Sequence, residues 1–292
     1  MLLLGNGCNQ RPVSSITEVR AKADRGDAVA QYALGRYYSL GQGVTKDEVE
    51  AAKWCRKAAE QNLPVAQYCL GFCYANGQGV AKDEVEAVTW FRKAAEQNYA
   101  LAQYRLGCCY ALGQGVRKDE AETVNWHRKA AEQNLAGAQL SLGICYATGQ
   151  GVAKDAVEAA KWYRSAAEQN LASAQLCLGI CDATGQGVVK DEVEAAAWYR
   201  KAAESGDVVG SNALAWILAT SENSDIRDGS NAVVFAERAV AATNRKSPGF
   251  LDTLAAAYAE MSQFEKAVST EKEAIALLQT EAEKRFIREV CT

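Results

Sequence analysis

"GQGVTKDEVEAAKWCRKAAEQN", Gly41 to Asn62, places a Gly-rich loop, a Lys and several acids close together, which is how some phosphate-binding or catalytic segments look. The same string returns, lightly edited, from Gly77, Gly113, Gly149 and Gly185. The starts at 41, 77, 113, 149 and 185 step by 36 residues each time. An enzyme needs one site, not five evenly spaced copies of it. A fixed period in this range is the signature of a solenoid, in which each unit buries its apolar face only by stacking on its neighbours.

One unit, Ala66 to Asn98, shows how the pattern works. Ala66, Leu70, Cys73 and Tyr74 fall at i, i+4, i+7 and i+8, the stripe of an amphipathic helix, here helix A. Gly71 inside it has counterparts at Gly35, Gly107, Gly143 and Gly179. A helix-interior Gly costs about 1 kcal/mol against Ala, so a close approach by a neighbouring helix is expected there. Gly77 and Gly79 break helix A with conformations that a Cβ resists. Asp83 with Glu86 then has the spacing of a capping box and predicts the start of helix B. The pair recurs as Asp47/Glu50, Asp119/Glu122, Asp155/Glu158 and Asp191/Glu194, so these carboxylates read as caps rather than acid–base pairs. Ala87, Trp90, Phe91 and Ala94 form the apolar face of helix B, and Asn98 suits the left-handed residue that ends it. The opening string is therefore a turn and a helix cap. It lacks the GK[ST] ending of a phosphate-binding loop, and no strand precedes it.

Composition narrows the classes. At 49% hydrophobic and 23% charged residues the chain is globular in character, and disorder is expected only at the extreme N-terminus. A net charge of -4 argues against a nucleic-acid partner, which needs a basic face. No apolar run approaches the roughly 18 residues of a transmembrane helix. The start, "MLLLGNGCNQ", is too short in its apolar part and lacks the charged leader of an export signal, so the cytoplasm is expected. Export or lipid anchoring through a truncated signal is the alternative.

The ten Cys do not suggest staples. Cys73, Cys109, Cys145 and Cys181 are equivalent residues of successive repeats, about 8–10 Å or more apart if their helices pack. Cys69 and Cys73 are four apart on one helix, where Cβ atoms sit about 5–6 Å apart and a bridge wants about 3.5–4.5 Å. Free thiols buried as small hydrophobes in a reducing compartment are expected. No paired CxxC motif points to zinc, and no metal or cofactor is expected.

Two helices per 36 residues, with "LGxxY" on the first (Leu70, Gly71, Tyr74) and "GxGVxKDxxxAxxWxxKAA" across the turn and the second, resemble the Sel-one-like repeat family, relatives of the tetratricopeptide repeats. The resemblance implies an all-α, right-handed α-solenoid of stacked antiparallel helix pairs. It organises the chain into residues 1–15 (disordered, or the remnant of an export signal), an N-terminal capping helix over 16–27, and five repeats over 28–208. Two tetratricopeptide-like units over 209–280 follow, the first with a longer loop, Ser221–Ser230, and a polar C-terminal capping helix over 281–292 closes the stack.

The family acts mainly as adaptors and scaffolds, so the expected partner is a protein or peptide held in a concave groove lined by helix A. In the "LGxxY" frame the inward positions are Tyr32 and Arg36, Tyr68 and Phe72, Tyr104 and Cys108, Leu140 and Ile144, Leu176 and Ile180, a row running from aromatic to aliphatic. The competing reading is that packing within the repeats covers most of these side chains. His127, the only His, occupies the helix B slot of Cys55, Phe91, Tyr163 and Tyr199, so a packing role is expected and catalysis is not. Two alternatives to the scaffold remain: a weakly self-associating module, and an enzyme acting on envelope carbohydrate. The latter needs a pocket with a shifted-pKa carboxylate that breaks the repeat symmetry.

Overall fold

The computed structural model describes residues 16–290, with side chains through residue 279. The expectation for residues 1–15, including the export signal, lies outside the described residues. Those residues form fifteen α-helices and no strand. They group into two compact units, one ending at Gln133 and the other starting at Asn134. The first holds α1 (Ile16–Asp24), α2 (Ala28–Leu40), α3 (Glu48–Glu60), α4 (Pro64–Asn76), α5 (Glu84–Glu96), α6 (Ala100–Leu112) and α7 (Glu120–Glu132). The second holds α8 (Ala136–Thr148), α9 (Ala156–Ala167), α10 (Ala172–Thr184), α11 (Glu192–Glu204), α12 (Val208–Thr220), α13 (Gly229–Ala242), α14 (Pro248–Glu260) and α15 (Phe264–Val290). Within each unit, neighbouring helices pack as repeating antiparallel pairs, an α-solenoid arrangement. Where a separate capping helix was expected over residues 281–292, α15 runs unbroken from Phe264 through Val290.

The turn residues set the helix ends. Gly77 and Gly113 adopt φ values of 69° and 70°, and their N–H groups close the last turns of α4 and α6 on Cys73 and Cys109. Asp83 Oδ1 then accepts from the N–H groups of Val85 and Glu86, both at 3.0 Å. The reciprocal half of the expected capping box has another source. The Asp83 N–H donates to the Tyr74 carbonyl of helix A, as Asp47 does to Tyr38 and Asp119 to Tyr110. The cap thus ties the start of each helix B to the end of the helix A before it. Glu50 and Glu158, freed of that duty, pair with Lys53 and Lys161.

The close approach expected at the helix A glycines comes from the helix B slot of the same repeat. A Cβ on Gly71 would lie 2.7 Å from the Phe91 ring, and one on Gly107 would lie 2.4 Å from the His127 ring. Leu70, Leu106, Leu142 and Leu178, next to these glycines, have no exposed surface and form the centre of the stack.

A polar ladder accompanies this core. Buried Gln67 donates Nε2 to the Ala59 carbonyl and accepts on Oε1 from Gln97, at 2.7 Å. Gln103 with Gln133 repeats the pair in the first unit, and Gln139 with Gln169 repeats it in the second. The ladder ends at Gln175, because the next "EQN" is "ESG" and Ser205 stands where the donor Gln would be. Gln175 Oε1 is accordingly buried without a partner. Ser205→Gln should restore the missing donor and stabilise the second unit by about 1 kcal/mol. Urea unfolding measures this; an unchanged midpoint would mean that the rung contributes nothing.

Candidate functional site

The ten inward positions do not behave alike. Tyr32, Tyr68, Phe72, Tyr104, Cys108, Leu140 and Leu176 are half-buried, whereas Arg36, Ile144 and Ile180 are exposed. Tyr68 is held between rings, 5.8 Å from Phe91 and 5.6 Å edge-on from Tyr99. Tyr104 lies against the His127 ring at 5.5 Å, and Tyr32 packs on the core around Leu70. The tyrosines therefore give much of their surface to the stack. Phe72 is different: it lines a recess, and the Arg105 guanidinium lies 5.8 Å from its ring centre.

That recess, about 410 Å³ in the first unit, lies between α4 and α6, with Phe72, Arg105 and Cys108 along its walls and the Lys82–Glu84 ion pair at one side. The second unit has a smaller one of about 180 Å³ beside Cys177 and Ile180. It has a larger one of about 760 Å³ between α10 and α12. Asn212, Trp216 and Asp252 line this last recess with Lys190, Glu192 and Ser221. In helical register Asn212 and Trp216 stand where Tyr68 and Phe72 stand in α4, and Asp252 is the counterpart of Tyr68 in α14. The inward row thus continues into helices that the "LGxxY" frame missed, because Ala215 and Ala255 replace its Gly. Leu214 and Leu254, buried like Leu70, were the signal available in sequence.

The titratable groups are tuned by burial and capping. Lys190 and the Ser221 hydroxyl hold the Glu192 carboxyl below its usual range. Burial pushes the Asp182 carboxyl up, against the opposing charge of Arg164. Asp182 takes the place of Tyr38, Tyr74 and Tyr110, of which Tyr110 accepts from Arg92 at 2.7 Å. Asp182 breaks the repeat symmetry, yet it is 4% exposed and lies outside the recess walls. His127 is equally sequestered: burial lowers its pKa to about 4, and Cys108 Sγ lies 3.8 Å from Nε2. Burial also raises the Cys108 thiol, so the two make a neutral packing contact and not a thiolate–imidazolium pair. Among the described residues no group of three or more His, Cys, Asp or Glu is placed to hold a metal ion. No described helix is long and apolar enough to cross a membrane.

Helix pairs repeated at a fixed step define a protein of the α-solenoid repeat class. The Sel1 repeat matches residues 28–63, 64–99, 100–135, 136–171 and 172–207, and the chain belongs to that family. Among solved structures it is similar to c5321, a protective antigen present in uropathogenic Escherichia coli strains displaying an SLR fold. That match has 35% identity and a TM-score of 0.79, over 89% of this chain and 56% of that one. The chain therefore spans little more than half the length of that relative. It is also similar to a Sel1 repeat protein from Oxalobacter formigenes, with 34% identity and a TM-score of 0.69, over 77% of this chain and 89% of that one. No curated protein matches the sequence. Sel1 repeat proteins generally act as protein-interaction scaffolds.

Proposed function

We propose that the chain is a non-catalytic adaptor that holds an extended peptide or a helix of a partner protein against its helix A face. The observation that carries this reading is the set of apolar side chains left at least partly open beside recesses on that face. These are Phe72 in the first unit, and Ile180 and Trp216, 42% and 46% exposed, in the second. Aromatic anchors beside a recess are the usual source of binding energy in such contacts. The tyrosines act chiefly as the wall behind the anchors. None of the eight described cysteines is in a disulfide, which suits a reducing compartment.

Phe72→Ala and Trp216→Ala test the reading one unit at a time, in pull-downs from native lysate with the wild type alongside. Each should weaken capture of a specific partner at least tenfold while leaving the thermal midpoint within a few degrees of wild type, since loss of an anchor costs about 2 kcal/mol of binding. Undiminished capture by both variants, with both folded, would remove the helix A face as the binding surface.

A further inference from the structure

We propose that Cys55 and Cys69 are a disulfide-forming pair that clamps the first repeat to the second under oxidation. Cys55 lies on α3 and Cys69 on α4, at mirrored positions about the tight turn that joins the two helices. Their sulfurs are 3.1 Å apart, so a bond of about 2.05 Å needs a further approach of only about 1 Å.

The sequence register supports the pairing independently. Cys55 fills the slot that holds Phe91, His127, Tyr163 and Tyr199 in the other repeats. Fourteen residues on from each, Cys69 is matched by Arg105, Ser141, Cys177 and Ala213. Cysteine occupies both positions at one joint only among the five, and there the two sulfurs meet. Cys55 replaces an aromatic ring and is buried with its sulfur close against Gly35.

The chemistry is thiol–disulfide exchange with a small-molecule disulfide such as oxidised glutathione. Cys69, half-buried, is the sulfur an oxidant reaches first, since Cys55 is 2% exposed. The Cys69 thiolate attacks one sulfur of the oxidant and expels one thiolate; the Cys55 thiolate then attacks Cys69 Sγ and expels the second. One disulfide is reduced to two thiols, one is formed, and the two protons leave with the expelled thiols. The contact with Cys55 and burial hold the Cys69 thiol up at about 12, so the first attack is slow at neutral pH and speeds up as pH rises. Cys73 also hydrogen-bonds Cys69 and is the competing thiol.

Full-length protein incubated with oxidised glutathione at pH 7 and pH 9, alkylated and digested with chymotrypsin under non-reducing conditions, tests the pair. Cleavage after Leu70 and Phe72 separates Cys69 from Cys73, so mass spectrometry identifies the linked sulfur in the wild type itself. The expected result is a Cys55–Cys69 cross-link that forms faster at pH 9 and raises the thermal midpoint by several degrees. It should persist in Cys73→Ala and vanish in Cys69→Ala, a substitution for which Ala33 and Ala213 are natural precedents in the same helical register. No cross-link at either pH, or a link from Cys55 to Cys73 in its place, would overturn the proposal.

Discussion

Gly115→Ala should destabilise the first unit by about 4 kcal/mol or more, because the added methyl group meets backbone that cannot move aside. Gly115 is the second Gly of a "GQG" turn and has φ of 67°, a conformation that costs an L-residue about 1–2 kcal/mol. The greater cost is steric. A Cβ there would lie 2.0 Å from the Glu84 carbonyl oxygen and 2.3 Å from its carbon, backbone atoms at the start of the previous helix B. No rotamer relieves such a clash, so the turn must lift off the helix it seats against and open the stack between repeats. The first Gly of the same turn supplies the control. Gly113 has φ of 70°, but its nearest neighbour would be Lys118 Cβ at 3.6 Å, so Gly113→Ala should pay the conformational cost alone. Gly43→Ala should behave like Gly113→Ala, since only the Ile16 side chain, at 3.6 Å, lies within reach. Urea unfolding followed by Trp fluorescence measures all three. Equal losses for Gly113→Ala and Gly115→Ala would show that the turn does not seat on the preceding repeat.

The contrast between these glycines shows where sequence reading reaches and where it stops. The period, the two helices per unit, the Asp caps and the left-handed Asn98 follow from local chemistry, because each involves residues within one turn of helix or loop. Position-specific contacts between repeats do not. The two glycines of "GQG" look equivalent in sequence, and only the packing shows that Gly115 abuts Glu84, 31 residues earlier. Gln67 and Gln97 read as ordinary polar residues until stacking brings them to 2.7 Å. The same holds for Cys55 and Cys69: spacing alone fixes the distance between thiols on one helix or at equivalent repeat positions, whereas a pair mirrored across a turn depends on which faces meet. The candidate site was legible in part. The frame reached the recess-lining Phe72 and Ile180, but it could not tell a ring packed into the stack from a side chain open beside a recess, and it lost Asn212, Trp216 and Asp252 where its Gly became Ala.

The second large effect concerns His127 and pH. Its imidazole is 4% exposed in the slot above Gly107, and burial alone lowers its pKa from 6.5 to about 4. Between those values the unfolded chain binds a proton that the folded chain refuses. Stability is therefore fully present above pH 6.5, declines as pH falls through that window, and levels off below about pH 4. At about 1.36 kcal/mol per pH unit the total loss is about 3 kcal/mol. Burial raises the Cys108 thiol beside the ring, so it stays neutral over that range and does not offset the loss. Carboxylates titrate in the lower part of the window, and His127→Phe separates their contribution. Phe91 already occupies the same slot against Gly71, so the ring fits. Unfolding curves of wild type and His127→Phe at several pH values between 7 and 4 should diverge, with the wild type losing about 3 kcal/mol more than the variant. Parallel curves would mean that the imidazole accepts its proton in the folded protein. The slot would then have to open to water, and a neutral packing role for the chain's single histidine would be untenable.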